Sequence, residues 1–429
     1  MFSNGFQVME PLKKIADHPG LKHLGPGLIT GAADDDPSGI ATYSQAGAQF
    51  GFGMLWTVVF TYPLMSGIQM VSARLGCLSG RGLAANIKAQ YPKPVLYGIV
   101  GLLMLANTIN IAADIAAMGE ALRLLLGGSA HVYSVTFGLL CLLLQVFMPY
   151  QRYVRYLKWL TLALLAYVAV VFTIHVPWLE VAQHIVWPQL ALTRESIMMI
   201  VAVFGTTISP YLFFWQAAQE MEDLRGTHAA GEAITLAVAR GHLRRIKWDT
   251  YIGMGFSNLV AFFIILSAAA TLNRAGITDI QTSAQAAEAL RPLAGDFAFL
   301  LFSLGIIGTG MLAVPVLAGS AAYAVVESFD WGSGLDKKLH EAREFYAIIA
   351  LATVGGVLLN FTPIDPIKAL LWSAVINGVI ALPIMVVMML LGSNERVMGR
   401  FTIGKRLRWL GWMATIVMGV AVVAMFVTL

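Results

Sequence analysis

The sequence predicts an all-α polytopic membrane protein in which two of the membrane-crossing helices are interrupted. Of its 429 residues, 58% are hydrophobic and only 12% are charged, whereas about a quarter of the residues of a soluble domain carry charge. Apolar stretches recur at near-regular intervals from Gly25 to the C-terminus, and the mean hydropathy is +0.73. Two of these stretches contain proline beside polar residues. We therefore expect one membrane domain rather than several soluble ones.

The lengths of the apolar stretches predict eleven spans, because a bilayer core about 30 Å thick requires about 20 apolar residues for each helix. The predicted spans cover residues 24–50, 52–76, 94–126, 131–149, 155–176, 195–222, 248–272, 295–325, 343–361, 366–391 and 407–428. Residues 1–23 contain no apolar core followed by a cleavage site of small residues. We expect a short cytoplasmic segment there rather than a signal peptide, and a single membrane domain over residues 24–429.

The spans divide into two halves of five, residues 24–176 and residues 195–391, with the helix at 407–428 outside the repeat. An odd number of spans in each half places the halves in opposite orientations in the membrane. This arrangement is typical of transporters built from inverted repeats.

The distribution of basic residues predicts the orientation. With the N-terminus inside, all but five of the 28 Lys and Arg residues fall on the inner side; the five exceptions are Arg123, Arg194, Arg274, Arg291 and Lys368. Cytoplasmic loops carry the excess of Lys and Arg. We therefore expect a cytoplasmic N-terminus and an external C-terminus in the plasma (inner) membrane.

Several classes of function lack the residues that they need. The chain has only two cysteines, Cys77 and Cys141, which are too few for a disulfide framework or a thiolate metal cluster. Its basic residues flank the spans, so they report topology rather than nucleic-acid binding. We expect membrane lipids as partners, with no nucleic acid, no cofactor and no obligate protein partner.

The first span carries three carboxylates, Asp34, Asp35 and Asp36, followed by Pro37. An ionised residue at the centre of the bilayer costs about 3 kcal/mol on insertion scales, so such residues usually serve a function. Proline removes a helix hydrogen bond and frees a backbone carbonyl. The pattern predicts an unwound stretch where a carboxylate and carbonyl groups converge on a cation.

The sixth span contains a similar interruption, in which Thr206 and Ser209 precede Pro210. Prolines are common in membrane helices and often produce only a kink, which is the alternative for either position alone. Two interruptions at matching positions of the two halves instead indicate the broken helices of an inverted-repeat transporter.

A series of short motifs runs along the chain: Gly25-Pro26-Gly27, Asp36-Pro37, Gln45-Ala46-Gly47-Ala48, Gly51, Leu55-Trp56, Gln69, Ala73-Arg74-Leu75-Gly76, Asp114, Ser257-Asn258 and the run from Val314 to Ala321. In the order of these motifs, the chain resembles the Nramp family of divalent metal transporters over nearly its whole length. The resemblance implies a LeuT-type inverted-repeat fold of 5+5 helices with an additional eleventh helix and with helices 1 and 6 broken.

The departures from the family pattern fall in the metal site that the resemblance implies. The coordinating aspartate is kept as Asp36, but the family's coordinating asparagine is replaced by Gly39. The family's Met-Pro-His becomes Ser209-Pro210-Tyr211, and the glutamate of its proton route becomes Ala117. The glutamine of the tenth helix is not evident, although Asn377 lies nearby.

The candidate ion-site residues follow from both lines of reasoning. We expect the metal ion at Asp36, Gly39, Thr206 and Ser209, and an ion pathway past Asp34, Asp35, Asp114, Tyr211, Glu220 and Asn377.

Each of these expectations has an alternative. Asp36 is also suited to capping a helix N-terminus, and Thr206 and Ser209 to bonding back to their own helix. Glu220 could lie at a solvated helix end, and Asn377 could join two helices by a hydrogen bond. Asp114 could pair with a cation, Arg74 or Arg343.

The ligand types in the expected site favour Mg²⁺. Sulfur ligands select later transition metals, whereas carboxylate, carbonyl, hydroxyl and water suit Mg²⁺, Ca²⁺ and Mn²⁺. The replacements at Tyr211 and Ala117 remove two groups that exchange protons. The sequence therefore favours Mg²⁺ uptake with weak or no proton coupling, as in the magnesium-transporting branch of the family, and a proton-coupled Mn²⁺ symporter is the alternative.

Functions of other classes fit the sequence less well. A divalent cation channel would conduct the same ions. An intramembrane enzyme would need a second catalytic acid on a partner helix, and no motif supplies one, so we do not expect an enzyme. Three aspartates at the break would repel the carboxylate of an amino acid substrate.

Overall fold

A computed structural model describes the chain over residues 26–148, 160–188, 191–227, 236–332, 334–335, 337–363 and 365–428. The expected cytoplasmic segment at 1–23, Gly25 and the beginning of the fifth predicted span lie outside the described residues.

Helices make up nearly all of the described chain. The α-helices are α1 (Pro26–Asp34), α2 (Pro37–Phe50), α3 (Leu55–Ser79), α4 (Leu83–Gln90), α5 (Lys93–Leu126), α6 (Ala130–Phe147), α7 (Leu165–Val170), α8 (Trp178–Val186), α9 (Arg194–Thr207), α10 (Pro210–Thr227), α11 (Leu236–Ala268), α12 (Ser283–Ala287), α13 (Arg291–Ala294), α14 (Ala298–Phe329), α15 (Arg343–Leu359), α16 (Pro366–Gly392), α17 (Glu395–Met398) and α18 (Lys405–Thr428). Single turns of 3₁₀-helix lie at Gly51–Met54, Leu160–Leu164, Glu288–Leu290, Gly295–Phe297 and Gly399–Phe401, and a π-helical turn lies at Ala269–Asn273.

Eight helical stretches in the described part are long and apolar enough to cross a membrane. They are Pro37–Ser79, Lys93–Leu126, Ala130–Phe147, Arg194–Leu224, Val238–Asn273, Ser283–Phe329, Pro366–Gly392 and Lys405–Thr428. The first stretch contains both α2 and α3. The ninth predicted span is present as α15, a helix of 17 residues, and the described part of the fifth predicted span contains the short helix α7.

Helix α11 extends beyond the seventh predicted span at its N-terminal end. It begins at Leu236 rather than at residue 248, so the basic stretch from Arg240 to Lys247 is helical. Ion pairs hold this extension in place, since Arg245 contacts both Glu220 and Asp223 at the end of α10.

Both predicted interruptions are confirmed. Helix α1 ends at Asp34 and α2 begins at Pro37, and α9 ends at Thr207 and α10 begins at Pro210. Three other prolines, Pro63, Pro315 and Pro383, lie inside continuous helices.

Close glycine contacts hold both broken helices against their neighbours. A Cβ atom on Gly31 of α1 would lie 2.3 Å from the carbonyl oxygen of Gly253 in α11. A Cβ atom on Gly205 of α9 would lie 2.1 Å from the carbonyl oxygen of Ala374 in α16. Small residues at these positions allow the helix backbones to approach closely, so the two breaks are held within the bundle.

Candidate ion site at the two helix breaks

Asp36 forms the start of α2. Its backbone is extended and Pro37 takes the first helical position, which is the usual arrangement of a capped helix N-terminus. Asp36 Oδ1 accepts hydrogen bonds from the backbone N–H of Gly39 and the hydroxyl of Ser38, each at 2.7 Å. The helix-cap alternative is therefore confirmed, and it fixes the direction of the carboxylate.

The other carboxylate oxygen of Asp36 faces the neighbouring helices. The side-chain amide of Asn110 in α5 donates to Asp36 Oδ2 at 3.0 Å. The hydroxyl of Tyr211 in α10 lies 3.5 Å from the same oxygen and donates to the carbonyl of Ala33 at 3.1 Å. Asp36 is only 2% exposed, so this carboxylate lies inside the bundle between α2, α5 and α10.

Ser209 closes the end of α9 at the second break. Its hydroxyl lies within hydrogen-bonding distance of the carbonyl oxygens of Thr206, at 2.8 Å, and Gly205, at 3.2 Å. The back-bonding alternative therefore holds for Ser209. The carbonyl of Thr206 and that of Ala33 already accept hydroxyl groups, so two of the carbonyls near the breaks are engaged.

The two breaks face each other at Gly39. A Cβ atom placed on Gly39 would lie 3.1 Å from Thr206 Oγ1 and 3.5 Å from the carbonyl oxygen of Asp34. Gly39 thus leaves space between a hydroxyl of the second break and a carbonyl of the first. Of the residues expected to hold the ion, Asp36, Gly39 and Thr206 lie close together, and Tyr211 of the expected pathway lies beside Asp36.

Asp34 and Asp35 face α11 rather than α5. The hydroxyl of Ser257 lies 2.6 Å from Asp34 Oδ2 and 3.1 Å from Asp35 Oδ1. Asp34 Oδ1 and Asp35 Oδ2 meet no hydrogen-bond partner among the described residues. Asp34 is fully buried and Asp35 is 2% exposed, so neither lines an aqueous vestibule in this conformation.

Asp114 lies one turn beyond Asn110 on α5 and is fully buried. Neither of its carboxylate oxygens meets a hydrogen-bond partner in the described part of the chain, so the alternative of a pairing with Arg74 or Arg343 is not observed. Asn377 is also buried, beside the close contact of α16 with α9, and its Oδ1 has no partner among the same residues.

Glu220 belongs to a different cluster. It lies nine residues beyond Tyr211 on α10, about 13 Å along the helix axis. Its Oε2 is 2.6 Å from Arg245 Nη2, and the same guanidinium contacts Asp223 at 2.9 Å. The Glu220 side chain is fully buried, so the solvated-end alternative is wrong for this residue.

Sequence reasoning missed Asn110 and did not give Ser257 a role. Asn107, Asn110 and Asp114 recur along α5 at intervals of three and four residues, which places three polar side chains on one helix face. This spacing is the sequence pattern from which a polar face on α5 could have been predicted. It does not show which other helix that polar face contacts.

The donors that lie between the two breaks are the carboxylate of Asp36 and several neutral oxygens, since Asp34 and Asp35 contact Ser257 instead. In the described part of the chain, no group of three or more His, Cys, Asp or Glu side chains is arranged to hold a metal ion. An ion at the breaks would therefore rely on Asp36, hydroxyl groups, carbonyl groups and water. Such oxygen ligands suit hard divalent cations.

Comparisons with known proteins agree with this architecture. The family model described as natural resistance-associated macrophage protein-like, Nramp, matches residues 27–428. A relative described as the divalent metal cation transporter MntH of Klebsiella pneumoniae subsp. pneumoniae is 28% identical over 398 residues, which are 91% of this chain and 90% of that protein.

Solved structures show the same fold. A crystal structure of a manganese transporter from Eremococcus coleocola, in complex with an aromatic bis-isothiourea substituted compound, superposes with a TM-score of 0.73 at 16% identity, covering 96% of this chain and 87% of that one. Mhp1, a nucleobase-cation-symport-1 family transporter in a closed conformation, gives a TM-score of 0.50 at 13% identity, covering 94% and 92%.

The fold with its two helix breaks is of the LeuT type. The match of the family model over residues 27–428 is more specific: the chain belongs to the Nramp family of multi-pass membrane transporters and is not an enzyme.

Proposed function

We propose that this protein carries divalent metal cations across the membrane and binds them between the two helix breaks. The observation that carries this proposal is the buried carboxylate of Asp36, which lies at the first break and faces the hydroxyl of Tyr211 from the second broken helix. Relatives described as a divalent metal cation transporter and a manganese transporter support the same substrate class.

The surroundings of Asp36 explain why a cation is favoured there. An ionised carboxylate within a bilayer is costly unless it is paired or hydrogen-bonded. The donors to Asp36 are neutral groups of Ser38, Gly39 and Asn110, and no basic side chain of the described residues forms an ion pair with it. A divalent cation at Asp36 Oδ2 would supply the missing positive charge.

Among divalent cations, we propose Mn²⁺ as a transported ion. The manganese transporter of Eremococcus coleocola has the same fold, and the oxygen donors at the breaks suit Mn²⁺. This proposal departs from the Mg²⁺ preference that the sequence favours, because the comparisons support the manganese alternative more strongly.

Mg²⁺ is the second candidate, and one observation favours it. Ser209 provides oxygen where the family has the sulfur of methionine, and its hydroxyl is directed back toward α9. Gly39 leaves space beside Thr206. Mg²⁺ keeps several of its waters when it binds, so a wider site with oxygen donors suits a partly hydrated ion.

Proton coupling separates the two candidates further. Tyr211 and Ala117 occupy the positions of the family's histidine and glutamate, which favours weak coupling. A coupled mechanism would instead use the partnerless carboxylate of Asp114. Acidification of the liposome lumen in step with metal entry would establish coupled transport.

Uptake into proteoliposomes tests the proposed site. We expect Asp36→Ala to abolish uptake of Mn²⁺ and Mg²⁺. The matched control is Asp365→Ala, because Asp365 also caps a helix that begins with proline, accepting the N–H of Lys368 at 3.0 Å, but is exposed. Undiminished uptake by Asp36→Ala would refute the site, and equal losses in both variants would attribute the effect to the lost cap.

Competition between ions tests the substrate. We expect unlabelled Mn²⁺ to inhibit Mn²⁺ uptake at lower concentrations than Mg²⁺ does. Stronger inhibition by Mg²⁺ would select the second candidate, and uptake of neither ion by protein with the native fold would refute divalent metal transport.

A further inference from the structure

A cleft of about 620 Å³ lies where α4 meets the end of α14, and it shares no residue with the helix breaks. The residues that line it are Arg81, Gly82, Ala85, Lys88, Ala89, Met221, Glu327, Asp330, Trp331, Gly332 and Lys337.

The two acidic residues of the cleft already have partners. Asp330 forms an ion pair with Lys88 at 2.5 Å. Glu327 faces the first turn of α4, where its Oε2 accepts the backbone N–H of Ala85 at 3.2 Å. Gly82 permits this approach, since a Cβ atom at that position would lie 1.6 Å from Glu327 Oε1. The lining holds three bases, Arg81, Lys88 and Lys337, against these two acids, so the acids do not neutralise all of its positive charge.

Two bases remain at the mouth of the cleft. Arg81 is exposed and Lys337 is half-buried. No acidic side chain among the described residues forms an ion pair with either of them. The lining of the cleft therefore carries an excess of positive charge, and its chemistry suits an anionic group such as a phosphate.

A stack of three aromatic rings leads away from the cleft. Trp331 stacks on Phe329 with ring centroids 4.8 Å apart, and Phe329 stacks on Tyr97 at 5.9 Å. Asp330 adopts a left-handed conformation with a φ of 59°, which turns the chain back so that the N–H of Trp331 bonds to the carbonyl of Val326 at 2.9 Å. The rings remain 44–48% exposed, although burying them would be favourable.

The cleft lies at the ends of two helices that are long and apolar enough to span a membrane, and the ends of spans meet the headgroup region. Helix α5 begins at Lys93 and α14 ends at Phe329, and both belong to stretches that are long and apolar enough to span a membrane. Exposed aromatic side chains at the ends of spans are characteristic of the membrane interface. The predicted orientation places this end on the cytoplasmic side, where basic pockets between helices bind anionic lipid headgroups.

We propose that this cleft binds the phosphate headgroup of an anionic phospholipid. Arg81 and Lys337 contact the phosphate, and an acyl chain lies along the exposed faces of Phe329 and Tyr97. A free phosphate ion would contact the same two bases but would not contact the aromatic stack. A phospholipid fits both the bases and the aromatic rings, so it is the proposed occupant.

Native mass spectrometry of the full chain in detergent tests the proposal. Phosphatidylglycerol and phosphatidylcholine are titrated separately, and we expect tighter binding of phosphatidylglycerol. The double variant Arg81→Gln/Lys337→Gln should weaken phosphatidylglycerol binding about thirty-fold, since each basic residue near an anionic surface contributes about 1 kcal/mol. Both side chains are at least partly exposed, so the gel-filtration profile should not change.

The matched control is Lys405→Gln/Arg406→Gln, which removes two exposed bases at the start of α18 and should leave phosphatidylglycerol binding unchanged. Equal weakening in the control would attribute the binding to general surface charge and overturn the proposal. Equal affinity for the two lipids, or unchanged binding by the cleft variant, would also overturn it. Displacement of the lipid by excess inorganic phosphate would show a site for free anions instead.

Discussion

Replacing Asp36 with asparagine separates the helix cap that the structure shows at this residue from the ion-binding role proposed for it. Asparagine caps helices about as well as aspartate, so its amide oxygen keeps the hydrogen bonds from Ser38 and the N–H of Gly39 that Asp36 Oδ1 now accepts. The variant loses only the charge of the other carboxylate oxygen. Asp36→Ala, in contrast, removes both the charge and the cap.

The expected cost to folding is small. The new amide nitrogen of Asp36→Asn would face the donor nitrogen of Asn110, which lies 3.0 Å from Asp36 Oδ2. Rotation of the Asn110 amide by half a turn presents its Oδ1, which has no partner among the described residues. We therefore expect the variant to lie within about 1 kcal/mol of the parent, whereas loss of the cap in Asp36→Ala costs about 0.5–2 kcal/mol.

The expected cost to ion binding is much larger. A divalent cation and a carboxylate about 4 Å apart attract each other by about 8 kcal/mol at an effective dielectric constant of about 20. Desolvation of both groups offsets most of this attraction. If only about 2 kcal/mol remains as net binding, removing the charge weakens the ion about thirty-fold.

Two measurements on the same preparation check this prediction. Thermal unfolding in detergent should give nearly equal stability for the parent and Asp36→Asn, and calorimetric titration with Mn²⁺ should show the loss of affinity. Uptake into liposomes should fall in parallel. A variant that unfolds like the parent and still binds Mn²⁺ with the parent's affinity would refute the claim that the charge of Asp36 holds the ion.

Two further predictions concern stability. Arg245→Gln leaves buried Glu220 without its cation and should lower the free energy of unfolding in denaturant by about 3 kcal/mol. The control, Arg291→Gln, breaks an exposed ion pair and should cost less than about 1 kcal/mol. Equal costs in the two variants would contradict the burial of Glu220. Gly31→Ala places a Cβ atom 2.3 Å from a backbone carbonyl of α11 and should lower both stability and uptake. Gly98→Ala is the control, because the space around Gly98 is open, and it should change neither. Uptake by Gly31→Ala at the level of the parent would contradict the close packing of α1 against α11.

The parts of the fold that depend on hydrophobic length could be predicted from the sequence. The predicted spans at 94–126 and 366–391 differ by one residue from the observed Lys93–Leu126 and Pro366–Gly392, because the apolar length of a span follows from the thickness of the bilayer. The start of α11 could not be predicted in this way. Its polar extension is helical because Arg245 pairs with α10, and such a contact between distant segments leaves no mark in local hydropathy.

The same distinction between local sequence patterns and contacts of distant segments applies to the residues of the candidate site. Asp36 and Thr206 could be found because a carboxylate or a hydroxyl beside proline is conspicuous in an apolar span. Asn110 and Ser257 escaped because their importance comes only from the acids that they contact, Asp36 for the first and Asp34 and Asp35 for the second. Polar residues inside a membrane bundle are often simple helix-to-helix contacts, so their residue type alone does not assign them to a site.

The residue before a proline explains why some prolines here break a helix and others do not. Pro63, Pro315 and Pro383 follow tyrosine, valine and leucine and lie inside continuous helices. None of these three preceding side chains supplies the acceptor that satisfies the free N–H groups at a helix start. The helix therefore continues through the proline, since ending it would leave several backbone groups without partners inside the membrane.

The prolines at the two breaks follow residues whose side chains bond to backbone groups at the break. Asp36 accepts the N–H of Gly39 at the start of α2, and the hydroxyl of Ser209 bonds instead to the end of α9, where it lies 2.8 Å from the carbonyl oxygen of Thr206. Asp365 before Pro366 caps α16 in the same way. A polar residue before proline lowers the cost of interrupting a helix in the bilayer, because its side chain bonds to backbone groups that the interruption frees. At the first break this residue is Asp36, whose buried carboxylate is also proposed to hold the ion. Under the proposed function, one side chain therefore both caps the helix at the break and holds the ion.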